Sequence, residues 1–148
     1  MSDFSQTPHS FSTVLLFLCG LVFLAPPLQA VENEPVVLTP SEDGVQRAEI
    51  QFDSYSFSPN HLIVTVGRPV ELTLKSVTFL VPHNLVLKAP DAGLTIRQEV
   101  SAGRTEKILF TPARTGRFEF SCDKKLLFLK SHKDRGMTGI LEVRSPDQ

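Results

Sequence analysis

From Val45 to the C-terminus the chain is written in short runs whose apolar side chains fall on every second position, a period that calls for β-strands. Ala48, Ile50 and Phe52 alternate with Arg47, Glu49 and Gln51. Leu62, Val64 and Val66 alternate with Ile63 and Thr65, and Val70, Leu72 and Leu74 with Glu71, Thr73 and Lys75. Later runs cover 83–88, 94–100, 105–110, 117–122 and 138–143. Gly67-Arg68-Pro69, Pro90-Asp91-Ala92-Gly93, Ala102-Gly103 and Thr115-Gly116 punctuate them as turns. Because successive side chains of a strand point to opposite faces, each run offers one apolar face, and two sheets can bury such faces against each other. The expectation is an all-β fold, a Greek-key antiparallel β-sandwich of seven to eight strands over residues 45–148. Helix is nearly absent from the pattern, apart from a turn expected between Asp123 and Lys133.

Residues 1–30 behave differently. They hold no Lys or Arg, an apolar stretch from Val14 to Ala25, a Pro26-Pro27 break and the small residue Ala30. This reads as a secretory signal cleaved after Ala30, with an uncleaved anchor as the alternative, because the leader lacks a basic residue. The apolar stretch is short for a bilayer span and no second one follows. The expected destination is the periplasm. Residues 31–44 contain Pro and Glu without a sustained period and read as a flexible arm. About 118 residues remain after cleavage, enough for one domain with one core. Fifteen basic residues against sixteen acidic ones leave no electrostatic footprint for nucleic acid.

Cysteine usage narrows the chemistry. Cys19 lies in the leader, so Cys122 is the only thiol of the mature chain, and a single thiol cannot close an internal disulfide. In an oxidising compartment it is a liability unless something occupies it, and a metal would. Cys122 shares a strand face with Phe118 and Phe120, which aims it at the interior. His132 and Met137 follow at the spacing C-x9-H-x4-M, and His83 stands earlier in VPHNLVL. Two imidazoles, a thiolate and a thioether are the ligand set of a mononuclear copper electron-transfer site. Singly, a strand histidine is usually a surface residue, a buried cysteine inert packing and a methionine filler. The joint order carries the weight, since only three histidines and one methionine follow Ala30. His61 lacks such company and reads as a surface residue.

The stretch from Tyr55 to Val143 resembles the cupredoxin, or blue copper, family, and within it the small cupredoxin-like domains of periplasmic metal-handling and iron-uptake proteins. The residues that carry the resemblance are Tyr55-Ser56-Phe57-Ser58-Pro59, the strand that follows through Gly67, and His83-Asn84. To these are added Thr111-Pro112, Gly116 through Cys122, and His132 through Gly136-Met137 with Gly139. The resemblance implies His83, Cys122 and His132 as equatorial ligands and Met137 as the axial ligand of one copper ion cycling between Cu(I) and Cu(II). It implies that Asn84 links the two ligand loops by hydrogen bonds. The function implied is electron transfer between redox partners, without catalysis by this chain. A copper-binding module for delivery, storage or resistance is the alternative, and a partner or sensory domain of a metal-uptake system a third reading. A multicopper oxidase would need many more histidines. The gap between Cys122 and His132 is longer than in plastocyanin or azurin and closer to that in copper nitrite reductases. Its Leu126, Leu127, Phe128 and Leu129 either cap the sandwich or remain exposed as a docking patch. In the second case Lys124, Lys125, Lys130, Lys133 and Arg135 would steer an acidic redox or copper-handling partner.

Overall fold

The computed structural model describes residues 34–125 and 127–146. The leader, residues 31–33 of the arm and Leu126 lie outside the described residues. The strands are β1 (Val36–Val37), β2 (Gln46–Asp53), β3 (Ser56–Ser58), β4 (His61–Thr65), β5 (Val70–Ser76), β6 (His83–Ala89), β7 (Leu94–Val100), β8 (Thr105–Phe110), β9 (Gly116–Ser121) and β10 (Thr138–Arg144). The only helical pieces among the described residues are the 3₁₀ turns Pro90–Ala92 and Lys133–Arg135. None of the described helices is long and apolar enough to cross a membrane.

Two sheets form a sandwich, one ordered β1-β4-β10-β9-β6-β7 and the other β3-β2-β5-β8. The long strands fall where the alternation put them, and the interior is built from the faces it marked. Ile50, Phe52, Val70, Leu72 and Leu74 are buried from one sheet, and Leu62, Val64, Leu85, Leu87, Phe120, Leu141 and Val143 from the other. Each fully buried side chain of this size contributes roughly 1.5–3 kcal/mol. Phe52 packs edge-on against Phe57 with ring centroids 4.9 Å apart, and Phe57 against Phe120 at 5.1 Å, so aromatic rings tie the sheets together. Gln46, wholly buried, receives the Thr65 N–H on its Oε1 at 2.7 Å and so joins β2 to β4 across the sheets.

Two expectations are corrected. The sandwich is not purely antiparallel, because β1 and β10 both pair with β4 in parallel and β5 pairs with β2 in parallel. A period of two fixes which face of a strand is buried and is silent about its neighbour's direction. β2 and β5 become neighbours only after the chain has left for β4 in the other sheet and returned, and that crossing sets their sense. The described part of the arm is also not loose. Val36 and Val37 pair with Leu62 and Ile63, the Leu38 N–H donates to the Ile63 carbonyl at 2.9 Å, and Leu38 joins the core. Strands of two and three residues, β1 and β3, are too short to show a period, which brings the described strands to ten instead of seven or eight.

Candidate metal centre

The site lies where β6 begins and β9 ends. β9 carries Cys122 just past its last residue, Ser121, with Phe120 and Cys122 both turned inward and Cys122 fully buried. β6 opens on His83 and Asn84, both wholly buried. The segment after Cys122 returns on itself. The His132 N–H donates to the Lys124 carbonyl at 2.8 Å and the Lys133 N–H to the Cys122 carbonyl at 2.8 Å. Met137 is stitched between the other two, its N–H donating to the His132 carbonyl at 3.0 Å and its carbonyl accepting the Cys122 N–H at 3.2 Å. Gly136 makes that return possible, because its φ of 95° lies in the left-handed region that side-chain-bearing residues avoid.

These paths bring one ligand atom each of His83, Cys122 and His132 within 4.8 Å of one another. Cys122 Sγ lies 3.4 Å from His132 Nδ1 and 4.0 Å from His83 Nδ1. Two donors at roughly 2.0 and 2.3 Å from one ion, at a trigonal angle, stand about 3.8 Å apart, so the donor set fits a single ion. Met137 is fully buried at the same end of the fold. His61 stands apart from the cluster. It is partly buried with Nε2 3.0 Å from Glu142 Oε2, in a group that also includes Arg117 and Arg144.

The electrostatics suit soft-metal capture. Burial, and then the neighbouring His132, push His83 down to about 4 from its ordinary value. Burial, and then the Arg135 charge, lower His132. Both imidazoles are therefore neutral at pH 7, with lone pairs free to coordinate. Burial pushes the Cys122 thiol up, partly offset by the backbone N–H groups of Asn84 and Lys124 that point at the sulfur. The Asn84 N–H stands 3.4 Å from Sγ. A metal entering here must displace the thiol proton.

The second set of contacts holds the ligands still. Asn84 Nδ2 donates to Asp123 Oδ1 at 2.8 Å and Asn84 Oδ1 accepts the Asp123 N–H at 3.1 Å, which is the link between the ligand loops that the resemblance implied. Sequence reasoning missed the rest. Arg97 grips the same Asp123 with two nitrogens at 2.8 and 3.1 Å, and this contact, followed by the Asn84 amide, holds the carboxyl below the usual carboxylate range. Thr78 Oγ1 lies 3.3 Å from His83 Nε2 and fixes the ring from behind. Tyr55 packs edge-on to His132. Tyr55 stands in a motif already quoted, though without this role, and no local signature announces Arg97 or Thr78; all three meet the site only through the fold.

Of the two readings of the long loop, exposure holds for the described residues. Leu127 is 76% exposed, Phe128 91% and Leu129 44%, and on the neighbouring 77–82 loop Phe79 is 93% and Leu80 90% exposed. His132, 8% exposed, helps to line a cleft of about 160 Å³ together with Leu80, Val81, Pro82, Lys124 and Lys125.

A family model described as a cupredoxin-like domain matches residues 14–133. Among solved structures, the metal-binding domain of the Cu(I)-exporting P-type ATPase CopA of Streptococcus pneumoniae D39 is 24% identical. That match covers 76% of this chain and 98% of that one with a TM-score of 0.56. Dithionite-reduced auracyanin from Roseiflexus castenholzii is 20% identical over 66% of this chain and 96% of that one, with a TM-score of 0.54. Auracyanin A, a blue copper protein of Chloroflexus aurantiacus, is 19% identical over 68% and 100%, also with a TM-score of 0.54. At these identities the likeness establishes the fold. No curated protein sequence matches the chain.

Proposed function

The chain belongs to the cupredoxin-like domain family, and from that premise we propose that it is a periplasmic mononuclear type 1 copper protein that carries electrons between redox partners. The observation that carries the reading is the assembly, in one buried cluster, of a thiol and two neutral imidazole nitrogens with no carboxylate among them. Bound copper would supply a one-electron couple. The chain's own residues supply rigidity, which keeps reorganisation small. Thr78 holds the His83 ring, the N–H groups of Asn84 and Lys124 hold the Cys122 sulfur, and the Asn84–Asp123–Arg97 chain holds the loop. Met137 is the fourth donor in this reading. His132 is the ligand that reaches the surface and therefore the side from which an electron would enter or leave.

For the partner we propose an acidic protein face. Residues 123–136 hold five cations, Lys124, Lys125, Lys130, Lys133 and Arg135, against Asp123 and Asp134. Lys124 and Lys133 are answered by Glu99 and Glu119, which leaves Lys125, Lys130 and Arg135 without an ion pair among the described residues. Beside them Phe79, Leu80, Leu127 and Phe128 provide apolar area. Association steered this way slows as ionic strength rises. Lys125→Glu combined with Lys130→Glu should flatten that dependence.

One observation favours the alternative, a module for copper delivery, storage or resistance: the cleft beside His132 would let an acceptor's donor atoms approach a ligand. The test is the absorption and EPR spectrum of the protein with one equivalent of Cu(II). An intense thiolate charge-transfer band with narrow copper hyperfine splitting, both lost in Cys122→Ser, is the expected result. Rapid bleaching with thiol oxidation, or uptake of Cu(I) alone followed by its transfer to an apo-acceptor, would overturn the electron-carrier reading in favour of the alternative.

A further inference from the structure

The two histidines of the cluster are held differently. A metal-binding imidazole is normally oriented by a hydrogen bond at its second ring nitrogen. His83 has one, from Nε2 to Thr78 Oγ1. His132 directs Nδ1 at Cys122 Sγ, and its Nε2 has no hydrogen bond to a described residue but is not a buried, unsatisfied atom, so it is open to solvent. Two aromatic rings pack against its ring. The Tyr55 ring stands edge-on at a centroid distance of 5.1 Å and an interplanar angle of 89°, with the His83 ring tilted beside it at 5.1 Å.

Tyr55 is itself held. It sits in the turn between β2 and β3, and the Arg135 guanidinium lies 4.7 Å from its ring centroid. Arg135 follows His132 by three residues in the 3₁₀ turn and donates its N–H to the carbonyls of Ser131 and His132. It makes no ion pair among the described residues, so the ring is its partner. The tyrosine is thus gripped between two residues of the ligand loop, while its own backbone belongs to the opposite sheet. Its hydroxyl makes no hydrogen bond among the described residues, and the residue is 41% exposed, so burial does not account for its position.

We infer that Tyr55 is a positioning residue for the metal centre, its ring, clamped by Arg135, orienting His132 where no protein group hydrogen-bonds its solvent-facing nitrogen. The inference rests on the metal-centre reading above for its consequence, and on the metal-free fold for its geometry. Because the ring and not the hydroxyl does the work, Tyr55→Phe should behave as the wild type and Tyr55→Leu should not.

The experiment compares wild type, Tyr55→Phe and Tyr55→Leu by NMR of the histidine ring carbons in the metal-free protein, then by copper titration. In Tyr55→Leu the His132 ring resonances should move and average, those of His83 should stay, and the phenylalanine variant should keep both sets. Copper affinity of the leucine variant should fall roughly three- to tenfold, the scale of one aromatic pair. Unmoved His132 resonances in Tyr55→Leu would overturn the inference, as would equal displacement in both variants. If the wild type takes up no copper, the proposed function fails, and the metal-free spectra still decide the role of Tyr55.

Discussion

Replacing Gly139 by alanine places a methyl group where two neighbours already stand. An added Cβ would lie 2.3 and 2.5 Å from the Cζ and Cε2 of Phe120 and 2.6 Å from the Asn60 carbonyl oxygen. Neither neighbour can step aside at little cost. Phe120 is 2% exposed and wedged against Phe57, and the Asn60 carbonyl accepts the Ile140 N–H at 2.7 Å, which fastens the chain before β4 to β10. Overpacking of this kind costs about 1–3 kcal/mol, and contact with backbone on one side argues for the upper half. The loss of unfolded-state freedom returns only about 0.4–1 kcal/mol. The net expectation is about 2 kcal/mol of destabilisation, which in urea moves the midpoint down by roughly 1 M for a slope of about 2 kcal/mol/M. Phe120→Leu in the same chain makes room, so the double variant should be less destabilised than the sum of the two singles. Gly139 pairs with Phe120 two residues from both Met137 and Cys122, so the copper spectrum should shift as well. An unchanged or raised midpoint in Gly139→Ala would refute the close-approach argument.

Four further outcomes are expected. Met137→Leu should keep copper and raise its reduction potential, since a weak axial donor that favours Cu(II) is lost; redox titration checks it, and an unchanged potential removes Met137 from the ligand set. Arg97→Ala should change the urea midpoint little, because the pair with Asp123 is half exposed and worth under about 1 kcal/mol, yet copper should dissociate faster as the Cys122 loop loosens. Asn84→Ala, by contrast, removes a buried side chain with partners on both loops and should cost about 1–3 kcal/mol. For pH dependence, contact with Arg144, and then with His61, holds the Glu142 carboxyl below its ordinary 4.5. The unfolded chain therefore binds this proton first, so the contribution is present above about pH 4.5 and is lost as pH falls through the lower folded value. Acid titration of stability should be shallower below that pH in Glu142→Gln, and an identical acid limb would contradict the assignment.

The strands and the order of the candidate donors were legible because both are local. Alternation at Val70, Leu72 and Leu74 marks a buried face whatever lies beside it, and Cys122, His132 and Met137 stand within one short segment. What stayed hidden depends on contacts made at a distance. The parallel pairing of β2 with β5 follows from a crossing between sheets, and Val36–Val37 is too short to carry a period. Arg97 and Asp123 are 26 residues apart, and an arginine on a strand reads as an ordinary solvent-facing side chain. Gly139 could be read as part of a motif, but the reason for glycine there is a phenyl ring and a carbonyl from two other strands or their margins. Leu127 and Phe128 are the opposite case. Composition favoured their burial, and the described structure leaves them in solvent because the sandwich end is already filled by the histidines and Met137.

That filling also explains how a long interval between Cys122 and His132 can coexist with a tight donor cluster. Four backbone hydrogen bonds, among Cys122, Lys124, His132, Lys133 and Met137, close the base of the loop, so the ligand atoms are spaced by the base and not by the number of residues above it. The residues between Lys124 and His132 are then free to vary in length and apolarity without moving Sγ or Nδ1. A segment released from that constraint can specialise in what approaches His132, which is where Lys125, Lys130, Leu127 and Phe128 lie in the chain. The same separation assigns different measurements to the two parts: substitutions at the base should move the spectrum and potential, whereas substitutions at the tip should move association rate and its salt dependence while leaving the spectrum alone.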